Sequence, residues 1–381
     1  MKCILLGGSN SVLMNSIRLG LGEVFDVSNF ALGATSCMQN LTEIIKNKNT
    51  IDDSDIIFTE SNVNDIMTYV GLSISQERMK FIIDEYYRLL FNLNKPVYVI
   101  ILPTHPDQEK KEDIDFINGI HINNCIRFGF KFASFDSIMN VLNKDQVDLL
   151  LPHPRHFNEA FVYQMTYNFA KLAVEEIRPN FRKILNDRFF KQAGIRNHPY
   201  VNGDEYIFMP ASELIGEFTV DLKENSAFSA KIINLTGNAR FKDFYYNYKI
   251  IAINAWCDDY SSIIISDNEN STVKSFIRHY TTTEIKKPIT ISNSLSVKKN
   301  VDNIPTTEFS LLAKYDKSKN IHDLKLEGFT LSLGDGVSNS FRMPLDENEI
   351  KDLDMSSRVM PKWQPYAAAS RSYSIYSGKG E

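Results

Sequence analysis

The sequence predicts a three-layer α/β architecture, a parallel sheet with helices on both faces, followed by a mostly antiparallel β-sandwich. Three observations carry this. From residue 1 to about 180, short β-rich runs alternate with stretches of helical spacing, the pattern of a parallel sheet whose crossovers are helices. Beyond about residue 200 the texture changes to short β-rich runs broken by Asn, Asp, Gly and Lys clusters, with almost no helical periodicity. At 381 residues and 43% hydrophobic, the chain is long enough for two cores. The expected units are 1–180, a connection at 181–200, a β-rich unit at 201–345 and an irregular tail at 346–381.

The first strand, Cys3 to Leu6, ends in Gly7-Gly8-Ser9, and a helix is expected to follow over Val12 to Leu21. Val24 to Ala31, Asp55 to Thr59, Val97 to Leu102 and Phe130 to Ser134 are the other strands of this half. Its clearest helix opens with Ser73 and Gln76 in capping-box spacing. It carries Met79, Ile82, Ile83, Tyr86, Leu89 and Leu90 on one face and stops at Asn94-Lys95-Pro96. A further amphipathic helix runs from about Asn158 to Glu176. In the second half the expected strands are Tyr206 to Met209, Glu217 to Leu222, Ala227 to Ile233, Tyr248 to Trp256, Ser261 to Ile265, Thr272 to Ile277, Thr307 to Leu312 and Leu324 to Leu333.

Charge and cysteine usage narrow the function classes. A net charge of -5 and scattered lysines leave no basic stripe, so no nucleic-acid partner is expected. The start, Met1-Lys2-Cys3, leads into a short apolar run and then glycine. That is too short for a secretory core or a membrane span, which points to a cytoplasmic chain with no membrane span. Cys3, Cys37, Cys125 and Cys257 lie far apart without a C-x-x-C pair, which indicates neither a zinc knuckle nor a disulfide framework. No metal and no cofactor are expected, and oligomeric state is left open.

Four segments carry candidate chemistry. Ser9 sits at a sharp strand-to-helix turn, the geometry that exposes a nucleophilic hydroxyl, although a plain tight turn or a phosphate-cradling loop has the same composition. Without a P-loop lysine or spaced dinucleotide glycines the nucleotide reading is weak. Gly33, in Asn29-Phe30-Ala31-Leu32-Gly33-Ala34-Thr35-Ser36, lets a backbone N–H approach a ligand at a second strand end. Asn64, after the third strand, offers a side-chain amide which, with the backbone amides at Ser9 and Gly33, would make a three-donor oxyanion hole. Leu151-Pro152-His153-Pro154-Arg155-His156 precedes the last helix of this half, where His156 can reach toward Ser9 as a general base. The H-x-x-H spacing also invites a metal reading, disfavoured by Pro154 in the turn and by the lack of a third nearby ligand.

In order, these segments resemble the four blocks of the SGNH (GDSL-like) hydrolase superfamily over about residues 1–175. The resemblance implies a flavodoxin-like sheet, Ser9 as nucleophile, Gly33 and Asn64 with Ser9 as oxyanion hole, and His156 as base. Gly8 replaces the aspartate of G-D-S, Asn62 the glycine of G-x-N-D, and His153 the aspartate of D-x-x-H. With His153 there, a Ser9–His156 dyad remains unless Asp148 or Glu159 approaches. The implied activity is carboxylic ester hydrolysis through an acyl-enzyme, on O-acetyl groups of bacterial glycans or their precursors. O-acetyl transfer to surface polysaccharide at the same site is an alternative. A non-catalytic glycan-binding protein is another, with Phe241, Phe244, Tyr245, Tyr246, Tyr248 and Trp256 as a stacking face, unless those aromatics fill the sandwich core.

Overall fold

The structure, a computed structural model, describes residues 1–135, 139, 142–196, 205–225, 228–277, 280–315, 323–334 and 351–360, and of 178–196 the backbone alone. Five parallel strands, β1 (Lys2–Gly7), β2 (Asp26–Asn29), β3 (Ile56–Glu60), β4 (Val97–Ile101) and β5 (Lys131–Ser134), form a sheet in the order β2-β1-β3-β4-β5. Every residue of β3 and β4 is buried, because helices cover both faces. The helices are α1 (Ser9–Val12), α2 (Ile17–Gly22), α3 (Cys37–Lys46), α4 (Lys48–Asp52), α5 (Asn62–Leu72), α6 (Gln76–Asn92), α7 (Lys111–Phe128), α8 (Lys144–Leu150) and α9 (Glu159–Arg196). One apolar core lies between the sheet and α3, α6 and α7, the other between the sheet and α2 and α9.

Local differences from the sequence reading have physical causes. The helix expected over Val12 to Leu21 is broken at residues 13–16, so only one turn follows Ser9. The cap of α6 is Ser75, whose Oγ accepts from Arg78 N at 3.2 Å, whereas Ser73 closes α5 with a left-handed φ of 53°. Met79, Ile82, Ile83, Tyr86 and Leu90 of α6 are all fully buried, each contributing about 1.5–3 kcal/mol. Helix α9 continues through 181–196 of the expected connection, and 197–200 lie outside the described residues.

In the second half, β6 (Tyr206–Pro210), β7 (Ile215–Glu224), β8 (Ser229–Arg240), β9 (Lys249–Trp256), β10 (Ser261–Ser266), β11 (Ser271–Phe276), β12 (Tyr280–Thr290), β13 (Ser296–Lys299), β14 (Glu308–Phe309) and β15 (Lys325–Ser332) join into one ten-stranded sheet. All pairs are antiparallel except β11 with β14. The sheet encloses a core of Met209, Ile233, Phe241, Ile253, Ile263, Phe276 and Phe329. Phe241, Tyr245 and Trp256 are buried and Tyr246 and Tyr248 pack against that core, so of the six aromatics only Phe244 is exposed.

The two sheets are tied through α3 and α6. Thr42 and Thr330 share a hydrogen bond of 2.7 Å, Lys46 pairs with Glu327 at 2.6 Å, and Arg78 Nη2 donates to the Ile285 carbonyl at 2.9 Å. Burial raises the Glu43 carboxyl above its ordinary range despite neighbouring Lys46. Farther along, α10 (Ser356–Val359) returns to the first sheet. Met355 N donates to Phe132 O at 2.7 Å, and Met355 and Val359 are buried in the core beside α9. Of the expected tail, 346–350 and 361–381 lie outside the described residues. Among the described residues no helix is long and apolar enough to cross a membrane.

Candidate active site

Ser9 follows β1 at the carboxyl edge of the sheet, where ligands of parallel sheets sit. The turn needs both glycines for close approach. A Cβ at Gly7 would meet Ser11 Oγ at 2.2 Å and the Glu60 carbonyl at 2.8 Å, and a Cβ at Gly8 would meet the Asn64 amide at 2.6–2.9 Å. The second contact explains why no aspartate stands at position 8. An aspartate there would displace Asn64.

The segments picked out in the sequence converge on this turn. Gly33 lies against Ser9, and a Cβ at Gly33 would stand 3.5 Å from Ser9 Cβ. Its neighbour Ala34 takes a left-handed φ of 58°, a costly conformation for a residue with a side chain. Asn64, fully buried, accepts from Ser9 Oγ at 3.1 Å and Ser9 N at 3.4 Å through Oδ1, while its Nδ2 donates to Thr35 O at 2.9 Å. Because Ser9 N–H only donates and Thr35 O only accepts, the amide orientation is fixed. Its nitrogen, the donor expected for an oxyanion, is therefore engaged with Thr35, and its oxygen faces the serine.

The histidine loop is carried to the same edge by a residue that sequence reasoning missed. Asn10, almost fully buried, donates to Arg155 O at 3.2 Å and accepts from Phe157 N at 3.2 Å, so it grips the backbone on both sides of His156. The only signal for it was its position next to Ser9. His156 is half-buried, and its ring stacks on His153 at 4.4 Å with an 18° interplanar angle. Burial, with His153 and Arg155 alongside, lowers its pKa below the ordinary 6.5 and favours the neutral base.

The described residues supply no acid to His156. Asp148 Oδ1 lies 3.2 Å from His105 Nε2, Glu109 pairs with Arg155 at 3.0 Å, and Glu159 makes no contact with the imidazole. Nor is Ser9 Oγ hydrogen-bonded to His156. His153 is exposed and flanks the ring. Asn62, the other departure from the four blocks, stitches β3 to the end of β4: its Nδ2 donates to Leu102 O at 2.7 Å and its Oδ1 accepts from Leu102 N at 3.0 Å.

Two further polar groups lie beneath the site. Glu60, fully buried, accepts from Ser11 Oγ at 3.1 Å, and burial pushes its carboxyl up to about 7. Asp65 accepts from Cys37 N at 2.7 Å and pairs with His121 Nε2 at 3.1 Å, whose Nδ1 meets Tyr87 Oη at 2.9 Å. His121 is thus a satisfied core histidine, while His198, His279 and His322 lie outside the described residues. All four cysteines are buried free thiols.

No family model matches the chain, and no curated protein sequence matches it. Among solved structures, an alpha/beta hydrolase enzyme from the metagenome of Lake Arreo, Spain, is similar at 15% identity over 45% of this chain and 93% of that one, with a TM-score of 0.35. An acetyl xylan esterase from Geobacillus stearothermophilus is similar at 14% identity over 46% and 94%, with a TM-score of 0.34. A protein described as lipolytic and of the G-D-S-L family, from Desulfitobacterium hafniense, is similar at 14% identity over 44% and 97%, with a TM-score of 0.36. Each of these structures is similar over less than half of this chain and over more than nine-tenths of its own.

Proposed function

We propose that the chain is a serine ester hydrolase of SGNH type, acting through an acyl-enzyme at Ser9 on O-acetyl groups of glycans or their precursors. The observation that carries the reading is the convergence at Ser9: Asn64 is hydrogen-bonded to the serine, Gly33 faces it across a gap that only a glycine leaves open, and Asn10 draws the His156 loop to the same strand ends. In the reaction the Ser9 hydroxyl turns from Asn64 Oδ1 toward His156, which takes its proton as the oxygen attacks the ester carbonyl. The backbone amides of Ser9 and Gly33 receive the oxyanion, the Ser9 N–H by exchanging its long bond to Asn64 Oδ1 for one to the oxyanion. The bond to Thr35 O occupies one of the two N–H groups of Asn64 Nδ2, so Asn64 can join them through the other or by releasing Thr35. Return of the proton from His156 to the leaving alcohol leaves acyl-Ser9, resolved by water, or by a sugar hydroxyl if the protein is an O-acetyltransferase.

A second reading, glycan binding without catalysis, draws on the lack of an acid at His156 among the described residues and on the engagement of Ser9 Oγ with Asn64. In a Ser-His-Asp protease, loss of the acid's function costs on the order of 10⁴ in turnover. The deciding experiment is turnover of a small activated acetate ester and of an O-acetylated glycan by the purified chain. Ser9→Ala and His156→Ala are expected to lose about 10³-fold or more with unchanged circular dichroism, and His153→Ala distinctly less. Wild-type turnover by a folded Ser9→Ala protein removes the nucleophile assignment. Glycan binding without acetate release favours the second reading.

A further inference from the structure

The hairpin of β7 and β8 presents a strand edge that no described residue covers. β7 pairs only with β8. At the hairpin end Asn225 N donates across to Phe228 O, whereas Leu222 N is held by the Asp221 side chain at 2.9 Å. Backbone groups alternate between a strand's two edges, so those of Phe218, Val220 and Leu222 point away from β8. Val220 and Leu222 are 50% and 60% exposed, and no proline interrupts β7. An exposed edge of this length is a template for another strand, and the charges along β7 and the irregularity between Gly216 and Phe218 restrict which strand can pair with it.

We propose that the occupant is a second copy of this chain, joined antiparallel through β7 with the two-fold axis at Val220. The charges and the apolar pattern along β7 together select that register. With the axis at Val220, Glu217 stands opposite the partner's Lys223 on both sides of the axis. Val220 meets its own copy, Phe218 meets the partner's Leu222, and Asp221 meets the partner's Thr219. A shift of the axis to Asp221 opposes two aspartates, and a shift to Thr219 opposes Glu217 to the partner's Asp221. An axis at Leu222 would also oppose Asp221 to the partner's Lys223, but it sets Val220 against the partner's Glu224 and leaves Phe218 without an opposed residue of β7, so the Val220 axis is the one that opposes apolar to apolar at all three outward-facing pairs while keeping two ion pairs. About six backbone hydrogen bonds then form, two for each opposed pair of outward-facing residues, once each Leu222 N–H exchanges its bond to the Asp221 side chain for one to the partner. Lys223 lies 3.6 Å from Asp258, which Lys325 also contacts, so Asp258 keeps a partner when Lys223 turns to the second copy.

Sedimentation of the full chain tests this directly. The wild type is expected to dimerise reversibly. Glu217→Lys and Lys223→Glu each replace two ion pairs by like-charge oppositions and should weaken the dimer about tenfold or more, while the double charge swap restores it. A second measurement does not depend on those variants folding. Val220→Cys places two thiols on the axis, where opposed Cα atoms stand about 5.5 Å apart, within disulfide reach. The buried native cysteines leave that background low. Disulfide-linked dimer from Val220→Cys, and markedly less from Asp221→Cys, is the expected result. A monomer at all concentrations, a dimer indifferent to the single charge changes, a double swap weaker than either single, or equal cross-linking at 220 and 221 overturns the proposal.

Discussion

At the scale of the residue, the site is governed by what burial does to proton affinities. With His156 held below its ordinary 6.5, chiefly by burial, the acid limb of a kcat/KM profile should fall at a pH lower than 6.5. His153→Phe keeps a ring against His156 but removes a charge neighbour, so the limb should move upward by less than half of the way back, because burial remains. An unchanged or downward-moving limb counts against His156 as the titrating base. Glu60 works in the opposite sense. Its carboxyl rises from 4.5 to about 7 in the fold, so its contribution to stability is full below pH 4.5 and is lost as pH rises to about 7. The loss is on the order of 3 kcal/mol. Thermal melts of Glu60→Gln should match wild type near pH 4 and exceed it by several degrees at pH 8, and a parallel loss in both proteins would refute this account.

At the scale of the element, the strand-end loops depend on side chains that bridge them. Asn10→Ala removes both grips on the 155–157 backbone, leaves the Phe157 N–H unpaired in a buried setting, and should cost about 1–3 kcal/mol of stability. Its turnover on a small ester should fall at least tenfold, read as kcat with the His156 ring misplaced, while a variant with full kcat would show that the loop holds itself. These elements were legible in unequal degree. The alternation of runs exposed all five parallel strands within a few residues, most plainly β1, β3 and β4, which are buried along nearly their whole length and so are mostly apolar, whereas β2 and β5 at the edges are half-exposed and mixed. The break at residues 13–16 was not legible, since Leu13 and Met14 continue an apolar pattern. Strand β12 was also missed. Its Thr281, Thr282, Thr283 and Glu284 are polar yet buried, and Thr282 and Glu284 face the first half of the chain, where Thr282 meets Gln39 and Ser36 donates to Glu284 at 2.9 Å. A strand whose inward face serves an interface carries no apolar alternation for a sequence to display. In the site, residue types and order were visible, but the orientation of the Asn64 amide and the grip of Asn10 arise from contacts over 29 and 145 or more positions in the chain.

At the scale of the whole molecule, the two halves share one interface of α3 and α6 with β6, β9, β12 and β15. Gln39, Thr42 and Glu43 of α3 are buried there, polar groups whose partners come partly from the other half. A chain cut after residue 180 is therefore expected to lose cooperative unfolding or solubility, since it strands Tyr86-side core residues and the polar face of α3 in water together with the uncovered edge of β5. A soluble fragment that melts cooperatively at the temperature of the full chain would show the first half to be self-sufficient.

The return of residues 355–359 to β5 also has a consequence in time. Ser134 N waits for Ser356 Oγ across 222 positions of sequence, and the core beside α9 stays open until Met355 and Val359 arrive. On a ribosome adding about 5–20 residues per second, that interval is roughly 10–45 s, long beside the microsecond-to-second folding of small domains. During it the nascent first half carries an unfinished apolar seam. The stretch in which this protein is most exposed to chaperones and to misassembly is set by where its last described segment docks.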